Sequence, residues 1–302
     1  MAILFYFVLN MSIMASVTGC IVLILRRIRL LPRRMVVLFW MIPFFRAILP
    51  IGMNSSVSFM NIVFGWIGKT VPLIEINDRV KFSFDNYMML AQKYEPFQFV
   101  SSKTEHIFLV ASICWLTVAL FIMVLFCASY FMGKKDAAEA EHWKDDIWFS
   151  KNAQGIAVYG IFKPRIVFPI SYEGKDLEMI LQHERSHVKR KDNLWRLLGI
   201  GIVAVHWYNP LMWLFLKTFL VDLEMACDET VISKYDEEKR KQYALTLLEC
   251  KGNNDLLISA FGGANLNARI KFIVSYKKML KISLFGLAAI VIFIFYALLT
   301  NA

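Results

Sequence analysis

Two histidines four residues apart, with a glutamate directly after the first, carry the clearest chemistry in the sequence: His183-Glu184-Arg185-Ser186-His187. Residues 177–196 hold no Gly or Pro and predict a helix, on which positions i and i+4 share a face. The two imidazoles can then grip one Zn²⁺, while Glu184 acts as the general base that activates water for peptide hydrolysis. The chain has only five His, so a chance match to this spacing is rare. The bland reading is a surface or membrane-edge helix with accidental histidines.

A catalytic zinc usually takes three protein ligands, so a third is expected elsewhere. The run Asp222-Leu223-Glu224-Met225-Ala226-Cys227-Asp228-Glu229 offers four carboxylates. Glu224 and Asp228 fall on one helical face, so one can ligate while the other orients a ligand histidine; Glu224 is the choice for ligand and Asp228 for orienting group. A solvated acidic helix is the alternative. Cys227 could reach a metal as thiolate, although a buried structural thiol is commoner. His206 is a lone histidine, read either as a hydrogen-bonded structural group or as a transition-state stabiliser.

The elements that must position these residues include a membrane. Of the 302 residues, 58% are hydrophobic and 19% charged, with 34 Lys+Arg against 24 Asp+Glu for a net charge of +10. Soluble domains hold about 45–50% apolar and about 25% charged residues, so a typical soluble protein is excluded. Residues 2–25, 106–132 and 282–300 are long and apolar enough to cross a bilayer. Residues 35–53 form a weaker fourth span, because Pro43, Pro50 and Arg46 interrupt it. Arg26, Arg27, Arg29, Arg33 and Arg34 follow the first span without an acidic residue, which places that loop in the cytoplasm. The N-terminus and residues 54–103 are then external, and residues 133–281 form a cytoplasmic domain. The basic excess reads as this topology signal and not as nucleic-acid binding; no direct nucleic-acid partner is expected. The five cysteines form no CxxC pair and are expected as free thiols.

Residues 197–216 are long enough for a fifth span, yet Asn209-Pro210 interrupts them. A straight crossing would separate His187 from Glu224 by about 30 Å, against zinc–ligand bonds of about 2 Å. A helical hairpin bent near His206–Pro210, dipping into the bilayer or buried beneath the site, resolves the conflict. The expected fold is mainly α and integral to the membrane, with four transmembrane helices and a cytoplasmic α+β, zincin-like metallopeptidase domain. Upstream, residues 154–170 hold two β-rich pieces around Gly160 and read as a β-hairpin, either structural or suited to binding an extended peptide. Lys189, Arg190 and Lys191 read as an anchor to anionic lipid, with repressor docking as the alternative.

Residues 182–187, the segment His206-Trp207-Tyr208-Asn209-Pro210-Leu211 and the run 222–229, in this order and spacing, resemble the BlaR/MecR family of membrane zinc metallopeptidases. The resemblance extends to the four-helix layout, to Lys163-Pro164-Arg165 and to residues 261–270. It implies that His183, His187 and Glu224 are zinc ligands and Glu184 the catalytic base. It also implies regulated proteolysis that relieves a transcriptional repressor in an antibiotic or cell-wall stress response, and self-cleavage at a bond matching Ala268-Arg269. In the full-length family an external penicillin-binding domain follows the last helix. The sequence ends at Ala302, two residues beyond Thr300, so direct β-lactam sensing is not expected of it.

The expected partners are a protein substrate (a repressor or the chain itself), the lipid bilayer of a bacterial cytoplasmic membrane, a second copy as a homodimer, and a separate sensor protein. The rival readings are a housekeeping membrane metalloprotease and a zinc-stabilised receptor or scaffold without catalysis.

Overall fold

The computed structural model describes residues 2–28, 31–49, 56–57, 102–153, 155–173, 177–249 and 266–276, with residues 289, 293, 294, 296 and 297. The expected external segment and the expected last span, 282–300, lie almost wholly outside the described residues.

Helix α1 spans Ala2–Leu25, α2 Arg33–Ile48 and α3 Ser102–Ala138. Among the described residues two segments are long and apolar enough to cross a membrane, Phe7–Leu25 of α1 and Leu109–Met132 of α3. On α3 the large apolar side chains of Val110, Phe121 and Val124 are exposed, a surface that water disfavours and lipid accepts. The expected span over residues 35–53 is shorter: α2 has 16 residues, includes Pro43, and buries most of its side chains in protein. Arg46, expected to snorkel, pair or face protein, is buried in protein.

After α3 comes a small mixed sheet: β1 Glu141–Lys144, β2 Ile147–Ser150, β3 Ala157–Tyr159 and β4 Arg165–Pro169, in the order β1-β2-β4-β3. The expected hairpin is β3 and β4, antiparallel with Val158 opposite Ile166, its turn using Gly160 at φ +91°. Sequence reading missed β1 and β2; β2 pairs parallel with β4 across an intervening chain segment, which local pattern does not reveal.

The helix expected over residues 177–196 is two helices, α4 Glu178–Arg190 and α5 Asp192–Val205. The break is Lys191, left-handed at φ 56°, whose N–H closes onto the His187 and Val188 carbonyls. Because Lys is not Gly, no turn signal marks this position in the sequence. The expected bend is found: α5 ends at Val205, and α6, Pro210–Ile232, starts with Pro210 in its first turn and the Asn209 side chain accepting from Leu211 N–H. Helices α7, Glu237–Glu249, and α8, Leu266–Val274, follow.

Two apolar clusters frame the site. One joins α1, α2, α5 and α6 through Val22, Trp40, Val203, Phe215 and Phe219. The other joins the sheet, α4, the end of α6, α7 and α8 through Ile166, Phe168, Ile180, Val231, Tyr243 and Ile273. Helix α6 belongs to both.

Candidate metal centre

Helix α4 presents His183 and His187 on one face, their rings 4.8 Å apart and nearly perpendicular. Their Nε2 atoms lie 3.1 Å from each other, and both face Glu224 on α6, at 3.4 Å from His183 and 3.5 Å from His187. Four ligands at about 2.05 Å in a tetrahedron stand about 3.3 Å apart, so these separations fit one Zn²⁺-sized cation.

The other ring nitrogens are already held. His187 Nδ1 is 2.8 Å from Asp192 Oδ2, and His183 Nδ1 is 2.9 Å from the Tyr243 hydroxyl and 3.2 Å from Asp228 Oδ1. A carboxylate on Nδ1 fixes the tautomer that leaves Nε2 free as a donor to metal. The break at Lys191 turns Asp192 back onto His187. Asp228, fully buried, accepts from Arg269 at 2.8 and 2.7 Å and from the Tyr243 hydroxyl at 2.8 Å.

Glu224 is bracketed by two guanidiniums, Arg196 at Oε1, 2.5 Å away, and Arg269 at Oε2, 3.2 Å away. Burial opposes charge on Glu224 and Asp228, but the histidines and arginines around Glu224, and Arg269 with His183 at Asp228, hold both carboxyls well below their usual range. Burial also opposes the His183 imidazolium, yet its hydrogen bonds to the Asp228 and Glu224 carboxylates outweigh it and push His183 up to about 9. Glu184 is half-buried beside both histidines; burial raises its carboxyl above the usual value, against the pull of His183 and His187. A base raised in this way is better matched to proton transfer near neutral pH.

Cys227 sits behind the ring of His187, with Sγ 3.2 Å from Nδ1 and 3.3 Å from Asp192. It is on the side away from the Nε2 pair and forms a separate buried triangle with His187 and Asp192. His206 is not brought to the site: its Nε2 meets the Ala47 carbonyl at 3.0 Å in the hairpin bend, about 21 Å along α6 from Glu224. Ala268 and Arg269 lie within helix α8, and the Arg269 side chain enters the cluster as a partner of two carboxylates. Arg190 turns inward to Asp192, 3.3 Å away, while Lys189 and Lys191 remain exposed.

Sequence reasoning missed Asp192, Arg196 and Tyr243. Asp192 follows the second histidine by five residues, close enough to have been tested as its orienting carboxylate. Tyr243 lies 60 residues from its partner and carried no signal.

A 146-residue stretch is 28% identical to the methicillin resistance mecR1 protein of Staphylococcus aureus, covering 45% of this chain and 25% of that protein. A 94-residue stretch is 31% identical to the regulatory protein BlaR1 of Bacillus licheniformis, covering 30% of this chain and 16% of that protein. The matched region thus spans a quarter or less of each curated relative. The profile of the BlaR1 peptidase M56 family matches residues 6–273 and so takes in α1, the sheet and every residue of the cluster; the chain belongs to that family.

Proposed function

We propose that the chain is a zinc endopeptidase of a bacterial cytoplasmic membrane that signals by regulated proteolysis, cleaving a repressor or itself. The single observation that carries this reading is the paired Nε2 atoms facing Glu224, each ring backed by a carboxylate.

His183, His187 and Glu224 would hold the zinc, and Asp192, Asp228 and Tyr243 fix the ring orientations. When bound, zinc supplies Lewis acidity that polarises a peptide carbonyl and acidifies water. Glu184, raised by burial, takes the proton from the attacking water and returns it to the leaving amine. Arg196 and Arg269 keep Glu224 ionised and oriented. The two apolar helices Phe7–Leu25 and Leu109–Met132 support the membrane setting. The arginines after α1 orient the catalytic cluster to the cytoplasm by the positive-inside rule. The name of each relative, a resistance or regulatory protein, supports the signalling role.

The test is zinc content together with cleavage of a co-expressed candidate repressor in membranes, for wild type and Glu184→Gln. The reading expects about one zinc in both and cleavage by the wild type alone. Zinc in both with signalling intact in Glu184→Gln favours the scaffold instead, and no zinc in either removes the ligand assignment.

A further inference from the structure

Helix α6 is fastened to α1 at three levels with one register. Asn209 Nδ2 donates to Ser12 Oγ and Ser16 Oγ, each at 2.8 Å. Gly19 lies against Phe215 so closely that a Cβ would stand 2.2 Å from its ring. Arg26 Nε and Nη2 donate to Asp222 Oδ2 and Oδ1, both at 2.9 Å. The partners Ser12/Asn209, Gly19/Phe215 and Arg26/Asp222 step by six or seven residues on both helices, so α1 and α6 run parallel with nearly two turns between contacts. The last fastening is the strongest. Asp222 is fully buried and also accepts from the Trp40 indole N–H of α2 at 2.9 Å, with Arg33 at 3.6 Å. Two residues later on the same helix stands Glu224.

We propose that Arg26 and Trp40 are positioning residues for the metal ligand Glu224, acting through Asp222, so that the metal centre reads the placement of α1. This rests on the zinc reading of the cluster. A helix turn is stiff, and a charge-assisted bidentate pair fixes direction as well as distance. An axial shift or rotation of α1 therefore moves the turn carrying Glu224 relative to α4, which carries His183 and His187 and packs in the other apolar cluster. The arginines that follow α1 then have a role beyond setting topology: Arg26 and Arg33 face Asp222, and the Arg34 backbone N–H donates to Glu229 at 3.3 Å. An input that displaces α1 thereby reaches the site without crossing the sheet.

The experiment uses the whole chain in detergent micelles, reconstituted with Zn²⁺ or with Co²⁺ as a spectroscopic probe. It compares wild type, Arg26→Gln, Trp40→Phe, and the exchange Arg26→Asp with Asp222→Arg. Zn²⁺ affinity is read by chelator competition and the ligand field by Co²⁺ absorption. Arg26→Gln should weaken Zn²⁺ binding about tenfold to a hundredfold, the range for groups that orient metal ligands, and shift the Co²⁺ bands. Trp40→Phe keeps an aromatic ring in the cluster while removing the indole N–H that donates to Asp222, at the cost of some ring volume, so a smaller shift in the same direction is expected from a folded protein. The exchange should recover part of the affinity, which loss of packing alone would not allow. Unchanged affinity and unchanged Co²⁺ bands in folded Arg26→Gln and Trp40→Phe would overturn the inference while leaving the zinc centre standing. Failure of the wild type to bind Zn²⁺ would instead overturn the reading on which it rests.

Discussion

Histidines lie against both ends of α6, in opposite chemical company. At the bend, His206 points Nε2 at the Ala47 carbonyl, and its neighbours direct their donors to backbone oxygens: Trp115 to Val205, Trp207 to Trp115 and Tyr208 to Val8. These neutral bonds occupy backbone carbonyls where apolar side chains surround them, as a buried bend requires. At the other end, His183 and His187 meet carboxylates at Nδ1, while their Nε2 atoms face each other and Glu224, with Arg269 Nη2 3.4 Å from His183 Nε2. The contrast separates a histidine that joins helices from a pair prepared for a cation: what matters is which ring nitrogen the protein itself has filled. Substitutions at the bend should therefore change stability alone, whereas those at the cluster should reach catalysis, metal binding or stability according to which partner is removed.

The largest effect is expected at Glu184. Glu184→Gln should lower the cleavage rate by about 10²–10⁴-fold, the usual worth of a positioned general base, with zinc content unchanged. Because burial holds Glu184 above the ordinary carboxyl value of 4.5, its acid-side loss of activity should have a midpoint above that value in a pH–rate profile of kcat/KM. Next, Arg269→Met strips the guanidinium from buried Asp228 and should destabilise the protein by about 3–5 kcal/mol, measured by denaturant unfolding. A change within about 0.5 kcal/mol would mean that the pair is not buried as described.

Asp192→Asn keeps the shape but removes the negative partner of His187, and should weaken zinc binding about tenfold to a hundredfold by chelator competition, with little change in unfolding. Protonation supplies a further check on the same end. His183 is raised to about 9 in the metal-free protein, against an ordinary value of 6.5, so its bonds to Asp228 and Glu224 stabilise the metal-free fold below pH 6.5 and lose that contribution as pH rises through about 9. A metal needs the neutral ring, so binding between these values must release a proton and tighten as pH rises. Calorimetry in two buffers of different ionisation heat should detect that release. The smallest effect is expected at the bend. Asn209→Ala removes the cap of α6 and two hydrogen bonds to α1 and should lower stability by about 1–2 kcal/mol while zinc affinity stays the same.

The metal face was legible because His183, Glu184 and His187 sit within one helical turn, where spacing alone fixes geometry. The nearness of Glu224 to both histidines was legible from a chemical need, a candidate third ligand on the same side as His187, and the same need called for the bend between α5 and α6. The rest was hidden for stated reasons. Lys191 breaks the helix without a Gly or Pro, so the turn that delivers Asp192 left no mark in the sequence. Arg269 was read for its backbone, as half of a scissile bond, whereas its guanidinium bridges Asp228 and Glu224. The arginines after α1 were read as charges beside a membrane, and the carboxylate that two of them face is 196 and 189 residues away. Strand β2 depends on its parallel partner β4, a pairing that no local alternation announces.

The measurement that tests the metal centre most directly is zinc-edge X-ray absorption on the purified chain. The account predicts a first shell of two imidazole nitrogens at about 2.0–2.1 Å with carboxylate and solvent oxygen at about 2.0–2.2 Å, and no sulfur. A zinc–sulfur distance of about 2.3 Å would put Cys227 in the first shell and contradict the assignment of His183, His187 and Glu224 as the ligand set.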